Sequence, residues 1–267
     1  MKSKALVTIG VLCASAVAAF AQGDAAPAGT LRAVYLGSNP AQAVRDSASG
    51  EIRGASADLA REFAKRSNKS LDLKPAANPP AVIEAVRSGQ ADIGFVAYEA
   101  TRVGTVEFSQ TYMLVQQSFL VLGDSPIRAV ADIDRSGQKI AGTRNDSSML
   151  CLKRVLKQAA PVELENDPAA IAKALTGREI DALGASRQRL TNLMRSIPGS
   201  RVLADTFFNV PQNIIVPMGK PEALAAVNAF IDDVRASGFL RDAIAKGGAI
   251  GVEAASAGPV SRYGCQG

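Results

Sequence analysis

The sequence predicts an α/β protein in which helices pack against sheets. Strand-like and helix-like patterns alternate along most of the chain, which favours α/β layers over a β-sandwich or a helical bundle. Of the 267 residues, 47% are apolar and 21% are charged, so the chain can form a core and is too weakly charged to be disordered. This length allows one or two domains of ordinary size.

The first predicted elements follow a leader at residues 22–30, which is rich in Ala, Pro and Gly and which we expect to be flexible. Residues 31–36 (LRAVYL) predict one strand and residues 70–73 a second. Between them, residues 56–68 predict an amphipathic helix, because apolar residues recur at helical spacing and basic residues occupy the other face. The apolar face consists of Leu59, Ala60, Phe63 and Ala64.

A short helix is predicted for residues 80–89, with Pro in its first turn and Gly at its end. The apolar stretch 91–96 (ADIGFV) is typical of a buried strand. Residues 119–122 and 139–142 predict two further short strands.

In the second half of the chain, a helix predicted for residues 148–159 follows the polar cluster 145–148, whose side chains are typical helix caps. Asp167 and Pro168 begin another helix, and Gly177 ends it. The remaining predicted elements are strands at 180–183 and 213–216 and a helix at 221–237.

The absence of histidine excludes several kinds of chemistry. Without imidazole the chain has no Ser-His-Asp triad, no Cys-His pair and no metal site built on His. Catalysis by carboxylate, Lys, Tyr or Arg side chains remains open. We expect no metal and no cofactor.

The first 21 residues are typical of a cleavable secretory signal, with Lys2 and Lys4 before the apolar run 5–20 and small residues at its end. A transmembrane anchor is the alternative, but this run is shorter than the roughly 20 residues that a bilayer span needs. We expect cleavage after Ala21, which lowers the formal net charge of +5 by two. No basic run interleaved with aromatic residues indicates nucleic-acid binding.

Two cysteines, Cys151 and Cys265, remain after this cleavage. In an exported protein, such a pair without His or a CxxC motif predicts one disulfide. Two unpaired thiols are the alternative.

Five stretches carry a family resemblance: 50–59 (GEIRGASADL), 82–93 (VIEAVRSGQADI), 102–112 (RVGTVEFSQTY), 175–183 (LTGREIDAL) and 224–239. Taken in order, they resemble the periplasmic solute-binding proteins of amino-acid-type ABC importers, the bacterial extracellular solute-binding protein family 3. The resemblance runs from about residue 31 to residue 246. It implies the type II periplasmic binding protein fold, with two α/β lobes joined by two crossing hinge strands. Lobe 1 would contain residues 31–113 and 210–267, and lobe 2 residues 114–209.

The resemblance implies that Arg102, six residues before Phe108, binds a ligand carboxylate. A guanidinium suits this role because it donates two parallel hydrogen bonds and keeps its charge when desolvated. The alternative is a surface arginine on a helix.

A second anion-binding element is expected at Asp146, Ser147 and Ser148, where the N–H groups of a helix start carry partial positive charge. The family has a Gly-Thr or Gly-Ser pair here, whereas this chain has Asn145-Asp146-Ser147. Plain capping of the helix is the alternative.

The chain departs from the family where the ligand ammonium is bound. Amino-acid binders place a carboxylate five residues after the Asp that corresponds to Asp181, and this chain has Ser186 there. Glu99 stands where the family has Thr, and it would either replace the missing carboxylate or pair with Arg102. Tyr98 is a further candidate for the cleft.

Asn39, in the first loop, and Gln212, near the second hinge, complete the candidate contacts. The implied function is capture of a small carboxylate-bearing solute for delivery to an ABC permease in the inner membrane, without catalysis and by a periplasmic monomer. One alternative is a cyclohexadienyl dehydratase-like enzyme on the same fold, with Glu99 or Asp146 as the acid. Another is a sensory or accessory binding protein.

Overall fold

The computed structural model describes residues 29–258 together with Gly264 and Cys265. The predicted signal at residues 1–21 lies outside the described residues, as does most of the predicted leader. Within the described part, no helix is both long enough and apolar enough to cross a bilayer.

The described residues form twelve strands and seven helices. The strands are β1 (Thr30–Leu36), β2 (Val44–Arg45), β3 (Ile52–Arg53), β4 (Ser70–Ala76), β5 (Ile93–Ala97), β6 (Glu107–Leu122), β7 (Lys139–Thr143), β8 (Ala160–Leu164), β9 (Ala182–Ser186), β10 (Ser200–Val202), β11 (Phe208–Val216) and β12 (Val252–Ala254). The helices are α1 (Ala55–Arg66), α2 (Pro79–Arg87), α3 (Ser147–Val155), α4 (Pro168–Thr176), α5 (Arg187–Ser196), α6 (Pro221–Ala236) and α7 (Phe239–Gly247).

Ten of these strands form one mixed sheet in the order β4-β1-β5-β11-β6-β9-β7-β8, with β10 and β12 also pairing with β6. The two ends of the sheet are parallel, since β1 pairs in parallel with β4 and β5, and β7 with β8 and β9. The centre is antiparallel. The sheet therefore consists of two α/β halves joined at β6 and β11.

Strands β6 and β11 carry the chain from one half to the other and back. They pair with each other from Glu107 and Val216 at one end to Gln117 and Phe208 at the other. In the first half β11 also pairs with β5, and in the second half β6 pairs with β9. The predicted lobe boundaries, 113/114 and 209/210, fall within these two strands.

The buried apolar side chains form separate clusters in the two halves. Residues 31–115 and 214–244 supply the clusters around α1, α2, α6 and α7. Residues 119–203 supply the clusters around α3, α4 and α5. Each half thus has its own core, and the cleft between them lies beside the crossing strands.

One difference from the predicted elements lies after α3, which ends at Val155 rather than near residue 159. The Asp134 carboxylate accepts hydrogen bonds from the backbone N–H groups of Lys157, Gln158 and Ala159, which holds them outside the helix. Strand β8 follows and pairs in parallel with β7. Its side chains are exposed or half-buried, so it lacks the apolar run that predicts a strand.

The predicted disulfide is confirmed. Cys151 on α3 is bonded to Cys265, with their Cα atoms 5.6 Å apart and a sequence separation of 114. Cys151 is fully buried. The bond therefore links the C-terminal tail to the second half of the fold.

Loss of this bond should destabilise the protein markedly. Because the link closes a loop of more than 100 residues, we expect Cys265→Ser to lower the free energy of unfolding by about 3–5 kcal/mol. Urea denaturation with and without a reductant measures this. The reductant should bring the wild type to the stability of the variant and leave the variant unchanged; equal midpoints for the oxidised and reduced wild type would contradict the prediction.

Candidate ligand-binding site

A cavity lies between the two halves, next to β6 and β11. It contains about 490 Å³ free of protein atoms, part of it open to solvent. The first half contributes Leu36, Ser38, Asn39, Pro79, Val96, Ala97 and Arg102, the second half contributes Gln117, Asp146, Ser147, Ser148, Ala185, Ser186 and Arg189, and β11 contributes Val210 and Gln212.

Seven of the residues predicted to contact a ligand line this cavity: Asn39, Arg102, Asp146, Ser147, Ser148, Ser186 and Gln212. Tyr98 and Glu99 do not. The Tyr98 ring packs edge-on against Phe108, with ring centres 5.2 Å apart. The Glu99 carboxylate is buried and lies 3.5 Å from the Arg154 guanidinium, a partner that the sequence did not predict.

Arg102 follows β5 in a short 3-10 turn and is 8% exposed. Its Nη1 donates to the Ala97 carbonyl and its Nη2 to the Asn145 carbonyl, each at 2.8 Å. Burial lowers the pKa of Arg102, and the negative charges of Glu99 and Asp146 oppose that shift. A guanidinium has five N–H donors and stays charged in proteins, so donors remain for an anion in the cavity.

Helix α3 starts at the cavity with Asp146 as its N-cap. Asn145 has φ of 62°, a left-handed conformation in which glycine is favoured. The Asp146 side chain makes no capping hydrogen bond to the helix, so its carboxylate is available for contacts outside the helix.

The two serines at this helix start differ. The Ser148 hydroxyl donates to Gln117 Oε1 at 2.7 Å and is therefore engaged within the protein. The Ser147 hydroxyl is buried and has no hydrogen-bond partner. Because unpaired buried hydroxyls are costly, Ser147 and the free N–H groups of the first helical turn are suited to receive a ligand acceptor.

Asp146 instead forms a buried ion pair with Arg189, a cavity residue that the sequence did not predict. Arg189 Nη1 lies 3.2 Å from Asp146 Oδ2, and its Nη2 donates to Asn166 Oδ1 at 2.6 Å. Burial raises the pKa of Asp146, while the charges of Arg189 and Arg102 oppose the rise. Burial likewise lowers the pKa of Arg189, and Asp146 opposes this.

Three further polar groups of the cavity are held by the protein itself. Ser186 is the N-cap of α5, and its hydroxyl accepts from the Arg189 N–H at 3.4 Å. Gln212 Oε1 accepts from Gln42 at 2.7 Å, and Asn39 Oδ1 accepts from the Ala41 N–H at 3.1 Å. These bonds fix the side chains in place before any ligand binds.

The cavity wall carries two guanidiniums, Arg102 and Arg189, and one carboxylate, Asp146. It therefore has one unmatched positive charge and is suited to an anion. Among the described residues, no group of three or more Cys, Asp or Glu side chains could hold a metal ion.

Two α/β halves joined by crossing strands, with a polar cavity between them, define a type II periplasmic binding protein. Comparison with known protein families then shows which family this chain belongs to. The chain belongs to the bacterial extracellular solute-binding proteins, family 3, whose profile matches residues 31–246.

Individual relatives are distant. The chain is 28% identical over 170 residues to a glutamine-binding protein of Geobacillus stearothermophilus, a match that covers 62% of this chain and 64% of the relative's length. An amino acid ABC transporter substrate-binding protein from Streptococcus pneumoniae, solved with L-arginine, is 18% identical with a TM-score of 0.69, covering 82% of this chain and 94% of that one. An ancestral amino acid-binding protein, described as a precursor of cyclohexadienyl dehydratase, is 22% identical with a TM-score of 0.68 and covers 82% and 94%.

Gly142 on β7 sets how closely α3 approaches the sheet. A Cβ at this position would lie 3.0 Å from the Cα and 3.1 Å from the backbone N of Met149, so the helix itself would have to move. We expect Gly142→Ala to lower the free energy of unfolding by about 1–3 kcal/mol and to weaken ligand binding, since α3 carries Asp146 and Ser147.

Gly184→Ala is the matched control for this substitution. Gly184 pairs with Gly142 across β7 and β9, but its Cβ would meet the Phe119 ring, a side chain, at 3.0 Å. Thermal unfolding and calorimetric titration of both variants test the difference. Equal losses of binding in the two variants would show that the approach of α3 does not control the site.

Proposed function

We propose that this protein captures a small carboxylate-bearing solute, an amino acid or a related organic acid, between its two lobes and delivers it to an ABC permease. The observation that carries this proposal is the unmatched positive charge of Arg102 beside the start of α3, where the buried Ser147 hydroxyl has no partner. A carboxylate accepts from both elements at once, and such charge-assisted hydrogen bonds are the strong ones. Ligand capture would thereby satisfy groups from both lobes.

The proposed motion is a hinge closure about β6 and β11, with lobe 1 at residues 31–113 and 210–267 and lobe 2 at 114–209. Two contacts across the cleft support it: Arg102 Nη2 donates to the Asn145 carbonyl, and Glu99 pairs with Arg154. A ligand that contacts both lobes binds the closed form more tightly and shifts the population toward it. The closed form would then be the one that docks on the permease.

The relatives support the same class of ligand. The Geobacillus relative is a glutamine-binding protein, and the Streptococcus neighbour was solved with L-arginine. This chain covers 64% of the length of the Geobacillus protein, and we carry over from it only the class of ligand, a small carboxylate-bearing solute.

Export to the periplasm completes the proposed function. The family is extracellular by description, and the basic start and apolar run before Ala21 support a signal cleaved after that residue. The Cys151–Cys265 disulfide agrees with an oxidising compartment. We propose that the mature protein acts as a monomer.

Substitution of Arg102 tests the proposed anchor. We expect Arg102→Ala to weaken carboxylate binding about 100-fold, or about 3 kcal/mol, because the carboxylate loses its charged donors. Arg102→Lys keeps the positive charge but lacks the two parallel N–H donors of a guanidinium, so it should give an intermediate loss of affinity. Thermal-shift screening across amino acids, dicarboxylates and aromatic acids, followed by calorimetric titration, measures both effects.

Arg87→Ala is the control, because this arginine lies on α2 with its side chain 57% exposed and paired with Glu84. It should bind as the wild type does. Full affinity in Arg102→Ala, with the fold intact by circular dichroism, would rule out Arg102 as the anchor.

We also propose that the bound solute is not converted. A dehydratase needs a protonated carboxyl group as its proton donor. The carboxyl group in this cavity, Asp146, lies 3.2 Å from Arg189, whose charge opposes the rise in pKa that burial causes. Incubation with prephenate should therefore yield no phenylpyruvate above the spontaneous rate. Turnover that disappears in Asp146→Asn would instead establish an enzyme.

A further inference from the structure

The groups available in the cavity differ from those that an α-amino acid needs. Its ammonium requires a carboxylate or several free acceptors, because a desolvated cation without a partner is costly. In the part of the chain that the structure describes, Asp146 is the only carboxylate on the cavity wall. Its charge is already matched by Arg189 at 3.2 Å.

Neighbouring residues do not supply a second negative charge. Ser186 is neutral, and its hydroxyl caps α5 by accepting from the Arg189 N–H. Glu99 lies outside the cavity and pairs with Arg154. If Glu99 and Arg154 are counted together with the wall residues, the net charge of the whole group is still plus one.

Several neutral acceptors of the wall are also engaged, although the Ser147 hydroxyl has no partner. The carbonyls of Ala97 and Asn145 both accept from Arg102. The amide oxygen of each of the three lining amides accepts a hydrogen bond from the protein, and these residues are Asn39, Gln117 and Gln212. The cavity therefore presents donors to its ligand more than it presents acceptors.

We propose that the ligand is a small organic acid without an ammonium group, with a 2-oxo or 2-hydroxyl oxygen where an amino acid carries its nitrogen. This inference rests on the proposed function and narrows it. One carboxylate neutralises the unmatched charge at Arg102 and the start of α3, and the adjacent oxygen accepts from the remaining donors. At the position where amino-acid binders of the family have a carboxylate, the neutral Ser186 fits such a ligand, because the ligand has no ammonium to bind.

Matched ligand pairs test this inference. Calorimetric titration of the wild type with alanine, pyruvate and lactate, and with phenylalanine, phenylpyruvate and phenyllactate, compares acids that differ only at the second carbon. The 2-oxo or 2-hydroxy acid should bind at least 10-fold more tightly than its amino acid. Tighter binding of the amino acid, lost in Asp146→Asn, would overturn the inference by showing that Asp146 receives the ammonium.

The variant Ser186→Asp should restore the missing negative charge. We expect it to bind the amino acid of each pair at least 10-fold more tightly than the wild type does, and the 2-oxo acid more weakly. Ser186→Asn is the control, since Asn and Asp are both good N-caps and have nearly the same shape. An equal change in both variants would overturn the role assigned to charge at this position.

The outcomes separate the two proposals. If neither these acids nor any acid of the thermal-shift screen binds to the wild type, the proposed capture of a carboxylate fails, and the inference fails with it. If amino acids bind preferentially and Arg102→Ala abolishes that binding, the proposed function stands and only the inference fails.

Discussion

The antiparallel pairing of β6 with β11 is the constraint on which the rest of the molecule depends. The two strands are the junction between two separately packed cores, and each belongs to both halves through its other neighbour. Outside this junction, most of the apolar packing lies within one half or the other, and polar contacts such as Arg102 to Asn145 and Glu99 to Arg154 connect the halves. The cavity lies beside the junction, so the hinge closure proposed above would change its width.

Buried charge is the second constraint. Arg102, Arg189 and Asp146 meet in one cleft, and each has a pKa displaced by its burial and partly restored by the others. An ion pair of this kind contributes little net stability, because desolvation offsets most of the attraction. In the proposed binding mode the pair affects recognition, because Asp146 neutralises Arg189 and leaves Arg102 as the charge that a ligand meets.

Much of the fold could be predicted from the sequence because its apolar periodicity is strong. The helix at α1 and the buried strands β1, β5 and β7 follow directly from that pattern. Strand β8 and helix α5 could not be predicted in this way, because β8 is an edge strand with exposed side chains and α5 (RQRLTNLMRS) is mostly polar. For the same reason Arg189 was missed. Recognising Ser186 as a helix N-cap would have placed Arg189 in the first turn of α5.

The candidate site was predictable to the extent that it depends on local sequence. Arg102 and the start of α3 were expected at the cleft because each belongs to a short motif. The partners of Glu99 and Asp146 are Arg154 and Arg189, which lie 55 and 43 residues away in sequence, so only the folded chain brings them together. Which carboxylate faces a ligand is decided by these distant contacts.

The link between Cys151 and Cys265 also affects how damage to the protein would be detected. A protease cut between Ala255 and Cys265 would separate a C-terminal fragment from the main chain. The disulfide would keep this fragment covalently attached to α3, the helix that begins at the ligand cavity. The nicked molecule would therefore keep its full apparent mass on a non-reducing gel and lose the fragment only after reduction. An intact band without reductant does not, for this protein, mean an intact chain.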